Sequence, residues 1–312
     1  MFASFLTTIF FSLSVIFAAR SARALGGQTA NLARIGLATV LLAIWAHTFG
    51  QGLRGGGLPW FLLSGFIGFG LGDMALFGAL TRIGPRLAIL ITQCLAAPMA
   101  AMVEWWWLGT TLRTADIACA GVILAGVAIA LAPDHGTEVS RRTFGAGILF
   151  GIGSALGQAA GAVLSRKANA VSALSGLSID GGTAAYQRAL AGLLITILAF
   201  LFFRRSEPPS GPSTAQRWRR GGLFAIGNAL AGPTLGVGCY QWALRTTASG
   251  IVLPIIATSP LVTIIFSFFI DGTRPGRRAV AGGLLAVAGA VALQDAQSHW
   301  WLCHSVRKLL NI

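Results

Sequence analysis

GFIGFGLGDMALFGALTRIGPRLAILITQCLAAPMAAMVEWWWLG, residues 65–109, decides the fold. It reads as a glycine-rich apolar helix, a Gly84-Pro85 turn, and a second apolar helix closed by Trp105-Trp106-Trp107-Leu108-Gly109. Two carboxylates, Asp73 and Glu104, sit inside runs otherwise suited to hydrocarbon. The stretch recurs, degraded but readable, in the second half of the chain. An apolar helical pair that occurs twice points to an internally duplicated membrane protein.

Composition agrees. Of 312 residues, 55% are hydrophobic and only 10% charged, and the mean hydropathy is +0.74. Soluble domains carry about 25% charged residues, so too little polar surface exists here to coat a water-soluble globule, and lipid must be the solvent. The formal charge of +14 comes from arginines in short loops between apolar runs. There they set topology and meet anionic headgroups, which argues against a nucleic-acid partner. Cys94, Cys119, Cys239 and Cys303 are scattered without metal or disulfide spacing.

A spanning helix needs about 20 mostly apolar residues. Ten segments qualify or come close: 2–19, 32–50, 60–80, 87–108, 117–132, 144–165, 183–203, 221–244, 246–270 and 279–293. The run at 2–19 lacks the positive n-region of a signal peptide and reads as the first membrane helix. Most connections are brief and rich in turn residues, for example 50–52, 133–136 and 274–276. The linker 134–143 divides the chain into halves, expected at 1–133 and 144–294. The stretch 204–220, rich in Pro, Ser and Arg, is expected to be a flexible loop. The tail 295–312 mixes Trp and Leu with His, Arg and Lys and reads as an interfacial amphipathic piece.

The repeat is the strongest signal. Ala79-Leu80, Pro98 and Leu108-Gly109 recur as Ala243-Leu244, Pro260 and Asp271-Gly272, with internal spacings that agree to within two residues. Arg34 near the start of the second segment matches Arg188 near the start of the seventh. With five helices per repeat, the second half must insert upside down relative to the first, the inverted plan of many secondary transporters.

On these residues the chain resembles the ten-helix EamA-type branch of the drug/metabolite transporter superfamily. Its members show an Ala-Leu, a long apolar run to a helix-breaking Pro, and a closing Leu-Gly, once per half. Gly109-Thr110 and Gly272-Thr273 lack the Glu that usually follows. The resemblance implies two inverted five-helix repeats, an all-α polytopic fold, and a central cavity among the third, fourth, eighth and ninth helices. It also implies a secondary transporter or exporter of small organic metabolites in the cell (inner) membrane, without a cofactor. Such relatives usually keep both termini inside. The loop charges say otherwise: fourteen basic residues lie in odd-numbered connections and seven in even-numbered ones and the tail, which favours termini outside.

Several residues are candidates for function, each with a plainer reading beside it. A carboxylate inside a membrane helix should face the bundle interior or a wet cavity, so Asp73 either carries protons or a cationic substrate group, or pairs with Arg34 or Arg82. Glu104, beside three tryptophans, makes an interfacial pair or couples protons. Arg34 and Arg188 read as interfacial anchors, with anion recognition as the alternative. Gln93, Asn228, Tyr240 and Gln241 are the preferred cavity residues, a choice that rests on the resemblance; cross-helix hydrogen bonding is their other use. Pro98, Pro254 and Pro260 should kink their helices. Gly153, Gly157 and Gly161 form a stripe for close helix packing or sliding.

No metal-binding histidine spacing and no nucleotide-binding glycine loop is present, so neither metal chemistry nor ATP drive is indicated. A proton gradient or the substrate's own gradient would supply energy. Two other classes remain: a non-transporting membrane scaffold, and a membrane-embedded lipid enzyme, which would be expected to show clustered Asp, His and Glu near an interface.

Overall fold

The computed structural model of the chain describes residues 1–132, 141–203, 213–271 and 276–309. The turns expected at 133–136 and 274–276 fall wholly or largely outside these, as do most of the linker and residues 204–212. The described residues are helical and contain no strand. Ten helices follow one another: α1 (Phe2–Leu25), α2 (Gly27–Thr48), α3 (Leu58–Gly84), α4 (Leu87–Leu108), α5 (Thr114–Leu131), α6 (Arg141–Leu174), α7 (Gly181–Phe203), α8 (Thr214–Thr246), α9 (Ser249–Ile270) and α10 (Arg277–Leu309). Among the described residues, α1 to α9 are each long and apolar enough to cross a membrane. The side chains of the tail lie outside the described residues, although the backbone stays helical to Leu309.

Several helices run further than expected: α1 reaches Leu25, α2 starts at Gly27 and α10 reaches Leu309, and α8 and α6 are extended too. α8 begins at Thr214, inside the stretch expected to be a loop. Ser213 Oγ accepts from the Gln216 amide at 3.3 Å and Gln216 Oε1 accepts from the Ser213 amide at 3.2 Å, a reciprocal cap that satisfies two orphan donors. α6 continues nine residues past Ser165. Its extension is polar in sequence but buries Ala168 and Ser172 against the start of α3, where Ser172 Oγ accepts from the Gly57 amide at 3.2 Å. Packing, which hydropathy does not report, sets that end. The turns behave as expected: Gly84 (φ 76°) and Gly109 (φ 67°) take left-handed backbone that a side chain would strain.

The packing is two-fold. α1 lies on α8 and α6 on α3; α2 packs on α7, α4 on α9, and α5 on α10. Exchanging the halves (α1 for α6, α2 for α7, and so on) maps this set onto itself. The symmetry reaches into the helices. A π-helical stretch, Phe66–Gly72, interrupts α3, and another, Leu230–Gly236, interrupts α8 at the same distance from the Ala-Leu pair. Such stretches are rare and concentrate at functional sites.

Small residues bring the halves together. A Cβ added to Gly157 would lie 2.6 Å from Gly72 Cα, where α6 crosses the π-helical stretch of α3. The central core is built on Ala96, Ala97, Ala100, Ala155, Ala159 and Ala162, with Leu253 and Ile256. Backbones that approach this closely gain dispersion contacts that lipid cannot supply. Large apolar side chains face outward instead, among them Trp105, Trp106, Phe202 and Phe269.

α9 is broken and α4 is not. Pro260 has no N–H for the Ile256 carbonyl, and Ser259 Oγ donates to that carbonyl at 2.6 Å while Thr258 Oγ1 donates to Ile255 O at 2.6 Å. Thr8 and Ser12 of α1 add bonds to Ile255 O (3.1 Å) and Ser259 O (2.8 Å). Pro98 and Pro254 sit inside continuous helix, whereas the helix is interrupted just before Pro260.

Candidate functional site: a charged cavity between the repeats

A cavity of about 200 Å³ lies where α3, α4, α6, α7 and α8 meet. Its polar lining comes from Asp73, Thr92, Gln93, Gln158, Arg188 and Tyr240; its apolar lining includes Phe11, Phe69, Leu76, Val237 and Ile256. The π-helical stretch of α3 contributes Gly68 and Gly72, whose bare backbone lets the cavity run up against the helix.

Asp73 stands at the end of that stretch. Its carboxylate keeps 35% of its surface open and lies 3.9 Å from Arg34 Nη2, a loose pair. Arg34 Nε donates to Asn31 Oδ1 at 2.8 Å. Arg82, the other partner considered for Asp73, instead donates to Gly78 O at 2.9 Å and stacks on Phe150.

Arg188 enters from the opposite side. Arg34 and Arg188 are each the eighth residue of their helix, so at 1.5 Å per residue they lie about 10 Å inside it. The burial of Arg188 departs from its reading as an interfacial anchor, while Arg34 keeps part of its side chain exposed and pairs with Asp73. Arg188 is 4% exposed. Its guanidinium carbon lies 5.0 Å from the Phe69 ring centre and 5.7 Å from that of Tyr240, and its terminal nitrogen abuts Gly68 and Gly161. Among the described residues its Nε has no hydrogen-bond partner, and neither have the Tyr240 hydroxyl and the Thr92 hydroxyl, both buried. Gln158 Nε2 donates to Gln93 Oε1 at 3.1 Å across the cavity.

The other expected site residues lie elsewhere. Asn228 is buried between α8 and α1, its carbonyl taken by Ser14 Oγ at 2.7 Å. Gln241 is 1% exposed and does not line the cavity. Both lie on α8 but on faces turned from the opening, a distinction that neutral polar residues in an apolar helix do not reveal.

Glu104 is outside the cavity and makes an ion pair one turn from the end of α4. It is buried, ion-paired with Arg166 and accepting from the Ser249 hydroxyl and, at 2.8 Å, from the Ser249 amide. Arg166 Nη1 donates to the carbonyls of Leu244 and Thr247, each at 2.9 Å. One ion pair thus ties α4 of the first half to α6, α8 and α9 of the second. Nearby, Asp180 caps α7 through the amides of Gly182 and Thr183 and accepts from Trp45 Nε1 at 2.9 Å, reaching α2. Burial raises the Asp180 pKa, but the bonds from Thr183, Trp45 and the two amides outweigh it and hold the carboxyl below its ordinary value. Gln187 Nε2 donates to Gly52 O and Arg54 O in the same layer. α9 packs on α4 chiefly through its first segment, Ser249–Ile256; its second, Ser259–Asp271, packs chiefly on α1. Sequence reasoning missed Arg166, Thr92 and Ser154, the last also at the cavity wall; nothing in their local sequence marks them.

The family model of the EamA-like transporter family matches residues 1–132 and 145–293. A solved structure titled only "Crystal structure of protein" is similar over 92% of this chain and 95% of its own, with a TM-score of 0.68 and 19% identity; at that identity the likeness concerns the fold. No curated protein matches.

Proposed function

The chain belongs to the EamA-like transporter family, and from that premise we propose that it is a secondary transporter moving small organic metabolites across the cytoplasmic membrane by alternating access. The observation that carries this reading is the cavity itself. It is polar and charged, it lies at the interface of two half-related bundles, and such an interface is where inverted-repeat transporters bind substrate. The hydrogen-bonded layer of Glu104, Arg166, Ser249 and Asp180 closes one end, while the splay between α4 and the second segment of α9 leaves the other as the way in. That open end faces the arginine-rich odd-numbered loops, which the positive-inside rule assigns to the cytoplasm. Exchange of the two halves' conformations would part Glu104 from Ser249 and bring α9 against α4 at the opposite end.

Asp73 is the proposed coupling group. Protonation would release Arg34, and loss of the proton to the other side of the membrane would restore the pair. Uptake into proteoliposomes of pooled amino acids, sugars, carboxylates and cationic dyes, with and without an imposed pH gradient, tests the reading. Gradient-driven accumulation of one pool, reduced to downhill exchange in Asp73→Asn, is expected. Full-rate, equally pH-dependent transport by Asp73→Asn would remove Asp73 from coupling, and no movement of any pool would remove transport.

A further inference from the structure

The geometry points to a substrate with one negative charge: a small carboxylate with an apolar body, held by Arg188. The inference rests on the transport reading for its biological sense, but the site can be tested by binding alone. The ionised groups lining the cavity, among the described residues, are Asp73 and Arg188, and Arg34 stands behind Asp73 as its ion-pair partner. Arg34 and Asp73 neutralise one another, which leaves one positive charge. A buried cation is costly unless paired, and the two flanking rings supply only a cation–π contact. No hydrogen bond to the Arg188 side chain occurs among the described residues, and its Nε is both buried and unpartnered.

The two-fold arrangement explains why. Arg34 and Arg188 occupy the same place in α2 and α7, and the residue that follows the π-helical stretch is Asp73 in α3 but Val237 in α8. The first half therefore carries its own counter-charge and the second does not. A substrate carboxylate would complete the second pair, accepting from the planar guanidinium fork and from the hydroxyls of Tyr240 and Thr92, which are buried without partners. Phe11, Phe69, Val237 and Ile256 would surround the rest of the molecule. A cavity of about 150 Å³ takes a benzene ring, so the 200 Å³ here suits roughly eight non-hydrogen atoms by the same scaling.

The test is thermal protection of the purified full-length protein in detergent by matched triplets: benzoate, benzamide and benzylamine, then isovalerate, its amide and its amine. Carboxylates are expected to protect, and amides and amines are not. The charge count is tested directly by variants. Arg188→Gln should abolish protection by benzoate. Arg34→Gln should weaken it about tenfold, because Asp73 then competes for Arg188. The double variant Arg34→Gln/Asp73→Asn should recover it, because one spare positive charge returns. A merely structural role for Arg34 would leave the double variant as weak as the single. Equal protection by acids and amides, or loss without recovery in the double variant, overturns the inference. Carboxylate binding without movement in proteoliposomes would instead retain this site and remove the transport reading.

Discussion

Arg34 and Arg188 are the same residue at the same position of two half-related helices, yet only Arg34 has a carboxylate beside it. The backbone is duplicated down to the π-helical stretches; the charge is not. A duplicated scaffold fixes where two side chains meet, and divergence at a single following residue, Asp73 against Val237, decides whether they need a third party. Arg166 completes the comparison. It is partly buried and finds a counter-ion, Glu104, and two carbonyls within the protein.

Changing the charges in turn should separate the three arginines. Glu104→Gln leaves the partly buried Arg166 without its counter-ion and replaces the carboxylate that caps α9 by a neutral amide. Breaking such a pair costs about 3–5 kcal/mol, so the melting temperature in detergent should fall sharply and the closed end should open to thiol reagents at an introduced cysteine. The opposite sign is expected at Arg188. Arg188→Met removes an uncompensated buried charge and should stabilise the protein by about 1–2 kcal/mol while ending carboxylate protection, as read by the same melting curves. A smaller effect comes from Asp180. Its pKa is lower folded than unfolded, so its contribution is fully present above the ordinary carboxyl range, about pH 4, and is lost as pH falls through the lower folded value. Stability between neutral and about pH 3 should therefore fall less steeply in Asp180→Asn than in wild type, a difference that equal slopes would contradict.

The ten helices and their doubling were legible because hydropathy and proline placement report on lipid exposure and backbone bonding, and both act locally. Asp73 was legible as a group that must face inward. The depth of Arg188 was not. An arginine two turns into an apolar run reads as an interfacial anchor unless one knows that Gly65, Gly68 and Gly161 from two other helices clear space around it. Glu104 was legible as half of an ion pair, but its partner Arg166 and the Ser249 that helps to bury it come from the other half and could not be read from the sequence. Asn228 and Gln241 could not be sorted from Tyr240, because all three lie on one helix and only the partner helices determine which face opens. The start of α8 was hidden in a Pro- and Arg-rich stretch whose Ser213-x-x-Gln216 cap was the readable signal.

The most direct test gives the second half the acid that the first half has. Val237→Asp places a carboxylate opposite Arg188, with Val237→Asn as the uncharged control, and protection by benzoate is measured in each. If Arg188 serves to hold a substrate carboxylate, Val237→Asp should lose about tenfold or more in benzoate affinity, while Val237→Asn retains most of it. Undiminished benzoate binding in Val237→Asp, or equal loss in both variants, would contradict the account.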